Sequence, residues 1–344
     1  MAYGEPIRRT NYRARRGRPT PRAGTRLLGA LVALILVAAP FAAARHLLSG
    51  AGGAGEAPAG QGRVLRATGG AGESAHARWP AQGQAALVVG DGRPAASPGQ
   101  EPAPIASLAK VMTAYLTLER HPLGAGDEGF ALTVSAAQAR AVAAEADEGQ
   151  SVVPVTAGER LSERQLLEAR LIPSGNNVAR MLAARVAGSE ADFVEAMNEA
   201  AAALGMDATT YTDPSGFDPG TVSTAADQLR VFRQAMRFAA FRQIVSMGSV
   251  TLPVAGTLAN FNPLLGAGFA GKTGSDSAAG GCLAFFTRVA AGGRPATAIG
   301  VVMGQGEGSD TAALLDAAGE AAERLVGGRT ISGRPSGKPA KEMG

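Results

Sequence analysis

The apolar segment 104–118 constrains the fold of this chain most. Lys110 is the only charged residue between Glu101 and Glu119, so a helix formed there has almost no polar face and is predicted to be buried. Because Ser107 and Lys110 are three residues apart, their side chains project from the same side of that helix. Burial disfavours an ammonium ion, so we expect the pKa of Lys110 to fall towards neutrality and its amine to act as a base for the Ser107 hydroxyl.

The rarity of lysine supports this interpretation. The sequence has 33 Lys and Arg residues together, yet its lysines are Lys110, Lys272, Lys338 and Lys341. The last two lie in a Gly/Pro-rich tail, so arginine takes nearly every structural cationic position in the predicted folded part. Lys110 and Lys272 are therefore predicted to supply an amine that can lose its proton or a compact charge, which a guanidinium cannot.

The basic character of the chain belongs to its first residues. Eight arginines and Glu5 give residues 1–26 a charge of +7, and the whole chain carries +4, so everything after them carries −3. Without a basic stripe and interleaved aromatics, no nucleic-acid partner is expected. The uncharged run 27–44 predicts a signal peptide or a membrane anchor, with the body exported. The predicted location is extracytoplasmic: periplasmic or on the outer face of the membrane, or secreted if the leader is cleaved.

Cysteine and histidine are too scarce for several kinds of site. Cys282 is the only cysteine, which excludes an intrachain disulfide or a thiolate metal cluster. Two of the three histidines, His46 and His76, precede the predicted domain, and His121 is predicted to cap a helix. We therefore expect no metal and no other cofactor.

The order of local signals predicts the organisation of the chain. We expect a basic leader with a signal or anchor segment (1–44), a flexible linker (45–83), one domain (84–326) and a disordered tail (327–344). Strand signals begin and end the domain, and helical signals fill about 120–255. This order favours an α+β fold, with one antiparallel sheet flanked by helices and enclosing an all-helical insertion.

The boundaries of individual elements follow from capping residues and turns. Helices are predicted after Ser162, after the break at 173–177, after Ser189 and after Thr224, with a closing helix capped by Ser309. C-terminal strands are predicted at 269–274, 281–289 and 296–303.

Two short motifs accompany Ser107 and Lys110. Ser174-Gly175-Asn176 lies at a helix break, and Lys272-Thr273-Gly274 lies on a predicted strand, about 65 and then about 100 residues further along. Each motif alone is weak. Together, in this order, they match the triple of penicillin-binding proteins and class A β-lactamases.

On these motifs, the chain resembles the D-alanyl-D-alanine carboxypeptidases, the low-molecular-mass penicillin-binding proteins, over about 84–305. Further similar segments are 172–177, 204–206, 213–216, 223–225 and 279–283. The resemblance implies a β-lactamase/transpeptidase-like fold with a five-stranded antiparallel sheet. Asn177, where the family often has an acidic residue, and Ala109, where it often has threonine, depart from the pattern without touching a proposed catalytic group.

The resemblance also implies four catalytic residues. Ser107 would attack the penultimate D-alanine carbonyl of a peptidoglycan stem pentapeptide, with Lys110 as base, and release the terminal D-alanine through an acyl-enzyme. Ser174 would relay a proton to the leaving amine, and Asn176 would orient Lys110 and the substrate amide. β-Lactam antibiotics would acylate the same serine as covalent inhibitors.

The substrate-binding residues implied by the resemblance are Lys272, Thr273, Gly274 and Ser275. Lys272 and Thr273 would hold the terminal carboxylate of the peptide. The backbone N–H groups of Ser107 and Ser275 would form the oxyanion hole. If the leader is not cleaved, the N-terminal segment would also hold the protein at the membrane.

Three alternatives stay open. A class A β-lactamase would need a glutamate to activate the deacylating water, whereas the acidic residues of 209–220 are only Asp213 and Asp218. A DD-endopeptidase would use the same groups on crosslinked peptides. A non-catalytic wall-binding homologue would keep the fold without the reaction.

Overall fold

The computed structural model of the chain describes residues 65–66, 77–124, 126–291 and 294–327. These residues belong to one compact unit that begins at Gln61. Its helices are α1 (Ala109–Arg120), α2 (Ala136–Asp147), α3 (Glu163–Leu171), α4 (Asn176–Ala187), α5 (Glu190–Ala203), α6 (Ala225–Ala235), α7 (Ala239–Ile244) and α8 (Thr311–Leu325). Its strands are β1 (Leu65–Arg66), β2 (Gln84–Val89), β3 (Ala95–Ala96), β4 (Ala103–Pro104), β5 (Ala131–Thr133), β6 (Arg160–Ser162), β7 (Val222–Ser223), β8 (Ser249–Leu252), β9 (Gly256–Ala259), β10 (Ala270–Asp276), β11 (Gly280–Ala291) and β12 (Arg294–Gln305).

The main sheet is antiparallel across β10, β11, β12, β2 and β3, in that spatial order. This confirms the five-stranded sheet and the α+β class. Strand β1 adds a short parallel pairing, with Leu65 opposite Val289, beyond the part of β11 that β10 covers. Two residues of the predicted linker therefore join the sheet.

Both faces of the sheet are buried. Ala85 and Leu87 belong to a core that α8 covers, whereas Ala86 and Val88 belong to a larger core shared with the helical block. Alternation along β2 therefore separates the two layers, because successive side chains of a strand point to opposite faces. The sheet lies between α8 and the helices that carry most of the site.

Helix α1 is the centre of the helical block. Nine of its twelve residues are buried, and it packs against α3, α4, α5 and α6. The predicted buried helix is thus confirmed, with α1 preceded by a 3₁₀ turn at Ala106–Leu108. His121 is the C-cap residue of α1, as predicted.

Four local features differ from the sequence prediction. The helical block contains two hairpins, β5–β6 and β8–β9, whose strands have only three or four residues each. Helix α2 was not predicted because it buries no residue and so lacks an apolar stripe. Helix α4 begins at Asn176, two residues earlier than expected, and Asp310 rather than Ser309 caps α8.

The leader 1–44, most of the predicted linker and the tail beyond Gly327 lie outside the described residues, and the domain boundaries stay predictions. Among the helices that are described, none combines the length and the apolar character that crossing a membrane takes.

Candidate active site

Ser107 lies on the 3₁₀ turn at the entrance to α1. The segment before it is tied down by the pairing of β4 with β7. Ala106 has a φ of 44°, a left-handed conformation that costs free energy in a residue with a Cβ atom. Strained backbone of this kind persists only where the surrounding structure holds it. Here it brings Ser107, which is half-buried, to within 2.8 Å of the amine of Lys110.

Lys110 is fully buried, and its amine contacts three oxygen atoms. Nζ lies 2.8 Å from Ser107 Oγ, 2.6 Å from Asn176 Oδ1 and 2.8 Å from the carbonyl oxygen of Ser215. A neutral amine has two N–H donors and one lone pair. The amide and carbonyl oxygens can only accept, whereas a hydroxyl can also donate. An ammonium could donate to all three oxygens, but only a neutral Lys110, which donates to Asn176 and Ser215 and accepts from Ser107, can take the Ser107 proton.

The electrostatic environment favours the same protonation state. Burial lowers the pKa of Lys110 well below its usual value, and the charges of Lys272, Arg170 and Arg180 lower it further, while Asp213 raises it. Arg170 is itself completely buried and donates a hydrogen bond to the Lys110 carbonyl oxygen. A third cation in this interior region thus disfavours protonation of the lysine amine.

Ser174 and Lys272 form a second hydrogen-bonded pair. Ser174 follows α3 and has a φ of 62°, and its Oγ accepts a hydrogen bond of 3.0 Å from Lys272 Nζ. Lys272 also donates to the Thr273 carbonyl oxygen at 2.7 Å. Burial, followed by the charge of Arg170, lowers the pKa of Lys272 to about 7. The buried charge of Arg170 therefore lowers the pKa of both Lys110 and Lys272.

Strand β10 passes directly beside the 3₁₀ turn that carries Ser107. A Cβ atom at Gly274 would lie 3.1 Å from the backbone nitrogens of Ser107 and Leu108. Thr273 is buried and Ser275 is half-buried on the same strand. The structure thus brings the Ser107, Ser174 and Lys272 motifs together. The oxyanion-hole role of the Ser107 and Ser275 N–H groups stays a prediction.

The loop 213–217 supplies a contact that the sequence interpretation missed. The Asp213 carboxylate accepts hydrogen bonds from the backbone N–H groups of Ser215, Gly216 and Phe217, and from the hydroxyls of Ser215 and Thr221. These bonds hold the loop so that the Ser215 carbonyl faces Lys110. The signal was an Asp-Pro-Ser-Gly turn sequence, since aspartate often bonds the backbone that follows it.

Gly216 permits this loop to approach the 3₁₀ turn that carries Ser107. Its φ is +78°, and a Cβ atom there would collide with the Ala106 carbonyl. Gly216→Ala should therefore displace the turn and slow acylation of Ser107 by a labelled penicillin on the order of 10²-fold, as a misplacement of about 1 Å can. Gly248→Ala is the matched control, because a Cβ at Gly248 meets open space. Equal acylation rates for Gly216→Ala and the unsubstituted protein would contradict this account.

No three or more His, Cys, Asp or Glu side chains gather in a metal-binding arrangement within the described residues. Cys282 is buried in β11, where desolvation raises the pKa of its thiol to about 12. A thiol in that state is a poor nucleophile.

Comparisons with known proteins agree with this geometry. The family model described as D-alanyl-D-alanine carboxypeptidase, Peptidase S11, matches residues 95–306. The chain is 38% identical over 130 residues to a D-alanyl-D-alanine endopeptidase of Pseudomonas aeruginosa, covering 37% of this chain and 38% of that protein. It is 40% identical over 104 residues to a D-alanyl-D-alanine carboxypeptidase of Mycobacterium tuberculosis, covering 29% and 35%. These alignments span little more than a third of either relative.

The fold is also similar to solved structures. The Streptomyces K15 DD-transpeptidase superposes with a TM-score of 0.61 at 25% identity, covering 72% of this chain and 97% of that one. The matched family model covers more than half of the chain and includes all three motifs of the site. The chain therefore belongs to the Peptidase S11 family of D-alanyl-D-alanine carboxypeptidases.

Proposed function

We propose that this protein is a serine-type D-alanyl-D-alanine carboxypeptidase that removes the terminal D-alanine from peptidoglycan stem pentapeptides. The observation that carries the proposal is the buried amine of Lys110, 2.8 Å from Ser107 Oγ, with its other two partners able only to accept. That arrangement leaves the lone pair of a neutral amine directed at the serine hydroxyl.

In the first half-reaction, Lys110 takes the proton of Ser107 as Oγ attacks the carbonyl carbon of the penultimate D-alanine. The negative charge on the carbonyl oxygen is stabilised by the backbone N–H groups of Ser107 and Ser275, each worth about 3 kcal/mol. Ser174 passes the proton from Lys110 to the peptide nitrogen, the C–N bond breaks, and D-alanine leaves. The 3.0 Å hydrogen bond from Lys272 supports this role by holding the Ser174 hydroxyl at the site.

In the second half-reaction, water gives a proton to Lys110 and attacks the ester carbonyl. The bond to Ser107 Oγ breaks, and Oγ recovers a proton from the Lys110 ammonium. Before that, during the first half-reaction, Lys272 and Thr273 bind the terminal carboxylate, which leaves with D-alanine, and Asn176 orients Lys110 and the substrate amide. No metal or other cofactor enters any step.

The proposed function is tested by mass spectrometry after incubation with a labelled penicillin, followed by digestion of a stem pentapeptide. We expect one adduct, on Ser107, and release of free D-alanine. An unlabelled Ser107 would favour the non-catalytic wall-binding alternative.

DD-endopeptidase activity is the second candidate. The names of the relatives favour it, since matched proteins of Pseudomonas aeruginosa and Escherichia coli are D-alanyl-D-alanine endopeptidases. Crosslinked dimeric stem peptides, supplied beside pentapeptides, separate the two activities through the fragments released.

The β-lactamase alternative is disfavoured by the environment of Asp213. Its two carboxylate oxygens already accept five N–H and O–H donors, so this carboxylate is not free to activate a deacylating water. We therefore expect the penicillin adduct to be hydrolysed slowly. On this proposal the domain acts on peptidoglycan outside the cytoplasm, and the N-terminal segment holds it at the membrane if the leader is retained.

The pKa of Lys272 predicts a pH effect on substrate binding. Because this pKa is lowered to about 7, the ammonium that attracts the substrate carboxylate is present below pH 7 and is lost as pH rises through it. The KM of a carboxylate-terminated peptide should therefore rise above pH 7, by up to about tenfold per pH unit. A peptide ending in an amide is the control, because it carries no carboxylate for Lys272 to attract. Parallel pH profiles for the two peptides would refute the assignment.

A further inference from the structure

The side-chain amide of Asn176 faces two different groups. Its Oδ1 atom accepts from Lys110 Nζ at 2.6 Å, and its Nδ2 atom donates to Gln150 Oε1 at 3.2 Å. The oxygen and nitrogen ends of an amide are nearly equal in size, so shape alone does not select the orientation. The hydrogen-bonding partners must select it.

The orientation of the Gln150 amide is fixed, because one end contacts a group that can only donate and the other end a group that can only accept. Its Oε1 atom also accepts from Arg180 Nη1 at 3.1 Å, and a guanidinium has donors only. Its Nε2 atom donates to the Glu148 carboxylate at 2.8 Å, and a carboxylate only accepts. Gln150 must therefore present oxygen to Asn176, and Asn176 must present oxygen to Lys110.

Arg180 is itself held in place. It lies one helical turn after Asn176 on α4, and its Nη2 atom pairs with Glu145 Oε1 at 2.6 Å at the end of α2. Two backbone hydrogen bonds hold the same residues. The Asn176 N–H group donates to the Ser151 carbonyl at 2.7 Å, and the Gln150 N–H group donates to the Glu145 carbonyl at 3.1 Å. The resulting chain of contacts runs from α2 through Arg180, Gln150 and Asn176 to Lys110.

We propose that Arg180 and Gln150 are positioning residues. Through Asn176, they ensure that an amide oxygen rather than an N–H group faces the amine of Lys110. The inference rests on the proposed function of Lys110 as the base for Ser107. If the Asn176 amide turned over, its N–H group would donate to the lone pair of a neutral Lys110. That lone pair would then be unavailable to the Ser107 proton.

The test measures the acylation rate of Ser107 at saturating labelled penicillin for four single variants. Gln150→Met keeps the length of the side chain but removes the acceptor, and Arg180→Met removes the donor that orients it. We expect each to lower the rate about tenfold, the effect of one lost hydrogen bond. Gln150→Glu retains acceptors for Arg180 and Asn176, and the exposed Glu148 side chain is free to turn away from the new carboxylate, so this variant should stay within about threefold of the unsubstituted protein. Arg140→Met, on the exposed face of α2, is the control for loss of a cation that does not act on Lys110. Gln150→Met leaves every charge in place, so it separates the orientation of Asn176 from the charge of Arg180, which also lowers the pKa of Lys110.

The double variant tests whether the two residues act along one path. Gln150→Met with Arg180→Met should lose no more than about tenfold, because the second change finds the contact already broken. A hundredfold loss would mean independent effects and would overturn the proposal. Thermal unfolding midpoints show whether any variant has lost its fold. If Gln150→Met is unstable, the two single variants Arg180→Met and Gln150→Glu decide the outcome.

The failures of the two proposals are distinguishable. If the unsubstituted protein forms no adduct on Ser107, the proposed function fails. If it forms the adduct but Gln150→Met and Arg180→Met react at its rate, the positioning inference alone fails. An equal loss in Gln150→Glu and Gln150→Met would also overturn the inference, because the acceptor oxygen would then be irrelevant.

Discussion

Replacing Ser107 with alanine should lower D-alanine release from a stem pentapeptide on the order of 10⁴- to 10⁶-fold, as loss of a nucleophile does in serine peptidases. The substitution removes one oxygen atom, the one that lies 2.8 Å from Lys110 Nζ and that is proposed to form the acyl bond. Mass spectrometry should find no penicillin adduct on the variant, and a D-alanine assay should find release reduced by that factor.

A matched serine variant separates this effect from loss of the fold. Ser189→Ala removes a hydroxyl that caps α5, outside the contacts that run from α2 to Lys110, so acylation should stay normal although α5 loses about 1 kcal/mol. The Ser107→Ala protein should unfold at a temperature close to that of the unsubstituted protein. A penicillin adduct on Ser107→Ala, at any residue, would show that another group is the nucleophile.

Lys110→Arg should reduce acylation at least about 10³-fold, since general-base catalysis of this kind contributes about 10²- to 10⁴-fold and the geometry also changes. A guanidinium keeps the positive charge but cannot lose a proton at accessible pH. The buried lysine, by contrast, has a pKa well below its usual value and so can hold a free lone pair. The measurement is the acylation rate as a function of pH.

The pH profile distinguishes a lost base from a misplaced serine. In the unsubstituted protein the rate should rise with pH through the lowered pKa of Lys110, because the neutral amine is the active form. Lys110→Arg should show no such rise. A second variant, Lys110→Cys treated with 2-bromoethylamine, restores an amine of nearly the same length, and some activity should return. The chain's other cysteine, Cys282, is buried with a raised pKa and should react slowly. Activity of Lys110→Arg within tenfold of the unsubstituted protein would rule out the base role.

Much of the fold could be predicted because it depends on local patterns. The capping box at Ser162 predicted α3, and the apolar segment around Lys110 predicted a buried α1. Helix α2 has the same capping-box sequence, Ser135 with Gln138, and could have been recognised from it. It was missed because it buries no apolar face.

The sequence by itself determined the chemistry that this protein has available: a serine one helical turn from a lysine in a segment too apolar to leave that lysine in water. The tertiary structure decided which groups surround the Lys110 amine. The Ser215 carbonyl, the Asn176 amide held by Gln150 and Arg180, and the buried charge of Arg170 come from distant parts of the chain. Spacing along a sequence cannot reveal such contacts, because a backbone carbonyl has no residue type and an amide's orientation depends on the groups that the fold brings to its two ends.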